Sequence, residues 1–462
     1  MHGFEFILAR SYFAFAITFH IIFPAINIGL SWLIFIFECL NFSNKNDKYL
    51  SLCKFWTKIF AMLFGIGTVS GILMSFMFGL TFSKFIDFAG NIIGPLLTFE
   101  VLTAFFLEAS FLGVMIFGRD RVSKKVHLFS TFCVAFGTFL SAFWILSANS
   151  FMQTPSGYEI KDEILHVVNW FDVIFSPSFG WRFSHMLNGS LITASLFVFG
   201  VSLYFIKKNR DVEIMQKAAK ISATILMITS LLQVFLGDSH GLNTLKYQPS
   251  KIAAMEGHWY NEDGSQPIIL FGIPNKESEQ NDYEVKIPVL GSLILTHSLD
   301  GKIPALKDIP KSDRPPLFMP FFCFRVMVGL GILFIIIGIW GSIASRRGKI
   351  GLGHIFQLTL KQKQSKCHKF FAPIHKAMLN ISIYSSLLGT LAVICGWYVT
   401  EIGRQPWVIY GILRSKDSMT PNLDPYSIIF GICFTGIVYL AISIILVRYV
   451  VITIKKGLSD IH

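Results

Sequence analysis

The chain is short of charge. Asp, Glu, Lys and Arg make up 15% of its 462 residues, where an ordinary soluble chain carries about 25%. That deficit excludes a soluble enzyme with water-facing surfaces, and also a disordered chain or a coiled coil, which both depend on charge. Cysteine is sparse and scattered. The seven at 39, 53, 133, 323, 367, 395 and 433 form no CxxC or CxxCH, so no disulfide scaffold, metal site or covalent haem is encoded, and they read as small apolar fillers. Internal repeats are also lacking, which weakens the case for an inverted-repeat transporter.

What is abundant is apolar surface. Hydrophobic residues reach 53%, Phe alone contributes 47, and the mean hydropathy is +0.57. A membrane-spanning helix needs ~20 mostly apolar residues. Nine stretches qualify: 11–37, 59–83, 88–118, 128–152, 183–206, 221–237, 316–344, 377–400 and 425–447. The first is too long for a cleavable signal and has no cleavage site after it. An all-α integral membrane protein of nine transmembrane helices is therefore expected. Its parts would be a six-helix stretch (1–237), one long loop (238–315) and a three-helix stretch (316–462).

The net charge of +12 reads as basic cytoplasmic loops, with no role for nucleic acid. Segments 38–58, 119–127, 207–220, 345–376 and 448–462 carry 24 Lys and Arg. The alternate side carries 7 once the long loop is set aside. The expected topology has the N-terminus outside, the C-terminus cytoplasmic and the 238–315 loop external. The Lys-rich segment 345–376 reads as a cytoplasmic loop able to touch anionic lipid.

Ionisable groups inside spans are costly and are functional candidates. Here they are His20, Glu100, Glu108, His185 and Arg325, with Glu401 and Arg404 at a span end. On this topology His20, Glu100, His185, Arg325, Met327 and Glu401 fall in the outer half, beneath the loop. Imidazole and thioether are both haem-iron ligands, and an Arg suits haem propionates. A histidine or methionine in a span can equally be a packing or hydrogen-bonding residue, so composition leaves both readings open. Glu100 and Glu108, eight residues apart on one helix, fall on one side with a rise of ~12 Å. They suit a proton relay or, equally, two interhelical hydrogen bonds. Lys251 and Glu256 lie five apart in the loop.

These residues sit within a set of longer strings: TFHIIFPAINIG around His20, GPLLTFEVLTAFFLEASFLG around both glutamates, LSAFWILSANSFMQ at 140–153, and RFSHMLNGS around His185. FRVMVG (324–329), KIAAMEGHW (251–259) and GWYVTEIGRQPW (396–407) complete it. Over essentially its whole length the chain resembles subunit I of the cytochrome bd quinol oxidases. The resemblance implies a terminal respiratory oxidase of the bacterial cytoplasmic (inner) membrane, oxidising quinol outside and reducing O2 with cytoplasmic protons, without pumping. It implies His185 and Met327 as axial ligands of a low-spin haem b, with Arg325 beside it. His20 and Glu401 would be ligands of a high-spin haem b and an oxygen-reactive haem, d or b, in an order left open.

By the same resemblance Glu100 would lie at the oxygen-reducing haem, as a further candidate iron ligand, and Glu108 on its proton route. Lys251 and Glu256 would bind or deprotonate quinol, and Trp397, Arg404 and Trp407 would frame the haems. The implied partners are a second multi-span subunit (subunit II) and a small single-helix subunit. The loop is of the short type, and WVIYGILRSKDSMTP resembles the cyanide-insensitive branch. A haem-free proton-coupled transporter is the competing class, and it leaves His185, Met327 and GRQPW without a role. Adjacent histidines for a copper-containing haem oxidase, and paired histidines for a bc-type cytochrome b, are both absent.

Overall fold

A computed structural model describes residues 2–44, 47–346 and 366–458. The central part of the expected 345–376 loop lies outside the described residues. Among those described, nine helices are long and apolar enough to span: α1 Gly3–Ser43, α2 Tyr49–Thr81, α3 Ser83–Phe117, α4 Lys124–Gln153, α5 Phe179–Lys207, α6 Val212–Tyr247, α7 Phe318–Ser345, α8 Pro373–Ile402 and α9 Pro425–Lys456. Their starts follow local chemistry. Asp424 caps α9 by accepting from the backbone N–H of Tyr426 and Ser427, with Pro425 in the first turn, satisfying donors that the helix cannot.

The helices differ from the expected spans at two places. The sixth is not the 17 residues at 221–237 but 36 residues to Tyr247. Asp238 and Lys246 end the apolar run, not the helix, because a helix satisfies its own backbone with or without lipid. The third helix is interrupted by a π-helical turn at Glu100–Phe105.

α1 is the hub, touching α2, α4, α5, α8 and α9. α5 is the most buried span at 83%, against 17% for α3, α7 and α9. Small residues let it pack so closely, as membrane helices do where backbones must approach. A Cβ on Gly29 of α1 would lie 2.3 Å from the Ser190 carbonyl, and one on Gly389 of α8 would lie 2.7 Å from Thr193 Cα. α5, α6, α7 and α8 form a ring, each packed on the next and α8 returning to α5. The main core lies among α1, α2, α5 and α6, around Phe23, Phe55, Trp56, Phe60, Phe199 and Phe205. Within lipid such packing acts through dispersion and fit more than through water exclusion.

The polar segments are small caps at the helix ends. Among the described residues there are three antiparallel hairpins: β1–β2 (Tyr158–Lys161, Ile164–Val167), β3–β4 (Ile268–Asn275, Gln280–Ile287) and β5–β6 (Trp407–Ile409, Leu413–Arg414). Between α6 and β3 runs a short helix, Pro249–Glu256, whose seven last residues are all buried.

Candidate active site

The ring α5–α8 carries five of the expected residues. His185 projects from α5, Arg325 and Met327 from α7, and Trp397 and Glu401 from α8. Met327 Sδ lies against Gly396, where an added Cβ would be 2.9 Å away. His185 Nδ1 is buried without a hydrogen-bond partner among the described residues. Its ring stands 5.5 Å from that of His240 on α6. His240 lies three residues beyond the apolar run 221–237, on the ten further residues by which the helix continues to Tyr247.

Glu401 is the centre of a polar network. One oxygen accepts from Asn149 Nδ2 at 2.8 Å and Gln153 Nε2 at 3.3 Å, and the other pairs with Arg404. Gln153 Oε1 in turn accepts from Lys251 Nζ at 2.6 Å. Arg182 of α5 also lies within electrostatic reach of Glu401. Arg182 and Arg404 are thus two buried guanidiniums around one carboxylate, with the buried Lys251 amine behind Gln153. Buried charge of one sign is expensive unless compensated, so this region calls for further anions. Trp397 Nε1 and Arg404 Nε and Nη1 are buried donors without partners among the described residues. A surplus of buried cations with idle donors, beside imidazole and thioether, fits the carboxylates and iron of haem.

His20 of α1 has its own signature. Ser70 Oγ donates to the Gly67 carbonyl at 2.9 Å and meets His20 Nδ1 at 2.9 Å. Nδ1 is therefore the protonated nitrogen, which leaves Nε2 with a free lone pair, as an iron-ligating imidazole requires. Gly71 leaves the ring room, since a Cβ there would be 3.1 Å from His20 Cε1.

Both glutamates face α4. Glu100 accepts from Ser141 Oγ at 2.7 Å. Glu108 is buried with Oε1 unpartnered among the described residues, and its Cγ lies where a Cβ on Gly137 would be 2.4 Å away. The α-helical arithmetic for this pair is corrected by the π turn between them, but the shared side survives. Positions 137 and 141 are one turn apart on α4, ~6 Å.

Lys251 and Glu256 have different neighbours within the chain. Lys251 turns inward to Gln153, its ammonium pushed well below the ordinary value by burial and then by Arg182 and Arg404. Glu256 lies by Arg325, its carboxyl raised by burial. Arg325 is not free for a haem propionate. All five of its N–H groups go to the carbonyls of Ile269, Met255, Phe321 and Glu256, and it stacks on the Phe321 ring at 3.4 Å. It straps the short helix and β3 to α7. Trp407 sits in β5 under the Arg414 guanidinium, 4.4 Å from its ring centroid. Arg182, Asn149, Gln153, Ser141 and Ser70 were missed by the sequence reading. For three of them a signal existed: polar positions 141, 149 and 153 recur on one face of a span without charges.

The family model for cytochrome bd terminal oxidase subunit I matches residues 8–458. Subunit 1 of the cytochrome bd ubiquinol oxidase of Bacillus subtilis (strain 168) is 33% identical, over 98% of this chain and 94% of that one. Subunit 1 of the cytochrome bd-II ubiquinol oxidase of Escherichia coli (strain K12) is 28% identical over 88% of each. The structure of bd oxidase from Geobacillus thermodenitrificans superposes with a TM-score of 0.84 at 26% identity, covering 99% of this chain and 100% of that one. The chain therefore belongs to the cytochrome bd terminal oxidase subunit I family, as the multi-pass, haem-binding subunit of a bacterial inner-membrane oxidoreductase that implies a subunit II.

Proposed function

We propose that this subunit oxidises quinol at the external side and supports reduction of O2 to water with cytoplasmic protons, generating proton motive force without pumping. The observation that carries the reading is the set of buried basic side chains around Glu401, Arg182 and Arg404 with Lys251 behind Gln153, and the Arg404 and Trp397 donors without partners among the described residues beside the histidine–methionine helices. A transporter has no use for that charge surplus.

His185 and Met327 would hold a low-spin haem b. His20 and Glu401 would serve a high-spin haem b and the oxygen-reactive haem, d or b, with Glu100 beside the latter. Arg404, Arg182 and Trp397 would hold propionates. When bound, the haems store and pass single electrons and supply an open iron position for oxygen. The protein's part is protonic and positional. The Glu401 carboxylate is oriented by Asn149 and Gln153. Glu108, which keeps one buried oxygen free, would take protons from the cytoplasmic side and hand them toward Glu100 along the Gly137–Ser141 face of α4. Glu256, on the loop side of Arg325, would accept a proton from quinol. Quinol, O2 and a small single-helix subunit are the further partners on this reading, along with subunit II and lipid.

The test is a reduced-minus-oxidised spectrum with haem extraction on the purified complex. Three haems are expected, and Met327→Leu should convert the low-spin signal to high-spin while keeping the haem count. A folded complex without haem would overturn the reading.

A further inference from the structure

The loop that holds Glu256 also encloses a cavity of about 90 Å³, lined by His258, Trp259, Tyr260, Asn281, Glu284 and Lys286 among others. That volume holds a few ordered waters. His258 is 4% exposed, and its Nε2 has no partner among the described residues. Asn261 and Gln266 lie in hydrogen-bond reach of the ring, and Nε2 is left as a buried proton acceptor beside a polar cavity.

Glu256 and His258 are divided by Gly257, which adopts φ +69°. A Cβ there would lie 2.6 Å from Phe321 Cε2 as well as straining the backbone. This turn ends the short helix. It leaves Glu256 on the side strapped by Arg325 and sends His258 into the cavity. The His258 backbone is fixed by its N–H to Ala253 at 3.0 Å and by its carbonyl, which accepts from Leu306 at 2.8 Å. The charged groups around it are Glu262 in its own loop, Glu284 and Lys286 from the hairpin, Glu256 with Arg325 behind it, and Lys307 from the segment paired to it. Lys286 bridges Glu284 at 2.7 Å and Glu262 at 3.2 Å, part-exposed at the outer end.

Quinol releases two protons, and the site described so far has one convincing acceptor. Lys251 is directed away, donating to Gln153. We propose that His258 accepts the second quinol proton and passes it outward through the cavity and the Glu262–Lys286–Glu284 mouth, while Glu256 accepts the first. This rests on the quinol reading above. The balance is simple: two O–H bonds break, the ring becomes quinone, two electrons enter the haems, one proton goes to the Glu256 carboxylate and one to His258 Nε2, and both are released to external water. Burial raises the Glu256 carboxyl toward the working range and lowers the His258 imidazole, which keeps that ring neutral and able to accept a proton before releasing it.

The experiment compares the intact wild-type complex with His258→Gln, using decylubiquinol and, separately, a reduced phenylenediamine dye that bypasses the quinol. Quinol-driven O2 uptake at pH 6 should fall at least tenfold in the variant, and the deficit should narrow toward pH 9, where solvent takes the proton more readily. Dye-driven uptake and the haem spectrum should not change. Equal loss with both donors, or an unaltered quinol rate and pH profile, would overturn the relay. If His258→Gln fails to assemble, His258→Asn is read in the same way. A wild type that accepts electrons from dye but not from quinol would overturn the proposed function and the relay with it. Quinol activity in the wild type with an unaffected variant overturns the relay alone.

Discussion

One methyl group added at Gly137 should displace the proposed proton relay without removing any of its chemistry. The Cβ of Gly137→Ala would lie 2.4 Å from Glu108 Cγ, whereas carbon atoms rest at about 3.5–4.0 Å. Glu108 must therefore retreat by about 1 Å, since the two α-helical backbones are less free to part than a side chain is to turn. Overpacking of this kind costs about 1–3 kcal/mol, which the fold should survive. A displacement of about 1 Å in a reacting group can cost about 100-fold in rate, and that is the expected loss of quinol-driven O2 uptake. Glu108→Gln keeps the shape and loses the proton. Its expected loss is about 10²- to 10⁴-fold, with haem content intact. The double variant should be no slower than Glu108→Gln alone, because the methyl acts only through the carboxyl it displaces. Full activity in Gly137→Ala, or losses that multiply in the double variant, would refute this placement of Glu108.

Two further outcomes follow from the charge distribution. Glu401→Gln leaves Arg182 and Arg404 without their carboxylate; breaking a buried pair costs about 3–5 kcal/mol, so haem-to-protein ratio and thermal midpoint should both drop, and no change in either would contradict the charge argument. At the loop surface, a hydrogen bond from Arg314 and then one from Lys311 hold the Glu279 carboxyl below its ordinary value. A depressed acid stabilises the fold above its unfolded value of about 4.3 and loses that contribution as pH falls through the lower folded value. Proteolysis of the 276–314 region should therefore accelerate below about pH 4, and Glu279→Gln should cleave at the same rate at pH 6 and pH 4.

The nine helices were legible because spanning is a property of single segments: length and hydropathy decide it, and neither needs a neighbour. His20, His185, Glu100 and Glu108 were legible for the same reason, as charge or imidazole in an apolar run is conspicuous wherever it packs. What the sequence could not determine was which groups meet. His240 was hidden by reading the end of hydrophobicity as the end of a helix, and the π turn at Glu100–Phe105 has no hydropathy signal at all. Lys251 and Glu256 look like partners at five residues' spacing, yet the tertiary structure parts them, one bound to Gln153 on α4 and the other beneath an arginine from α7. Arg325 reads as a free cation in one dimension. In three dimensions its five donors are consumed by backbone carbonyls that only the folded loop brings to it. The crowding of buried basic side chains around Glu401 is likewise a fact of packing, because it is assembled from α5, the turn after α8 and the loop, each contributing a group that alone would mean little.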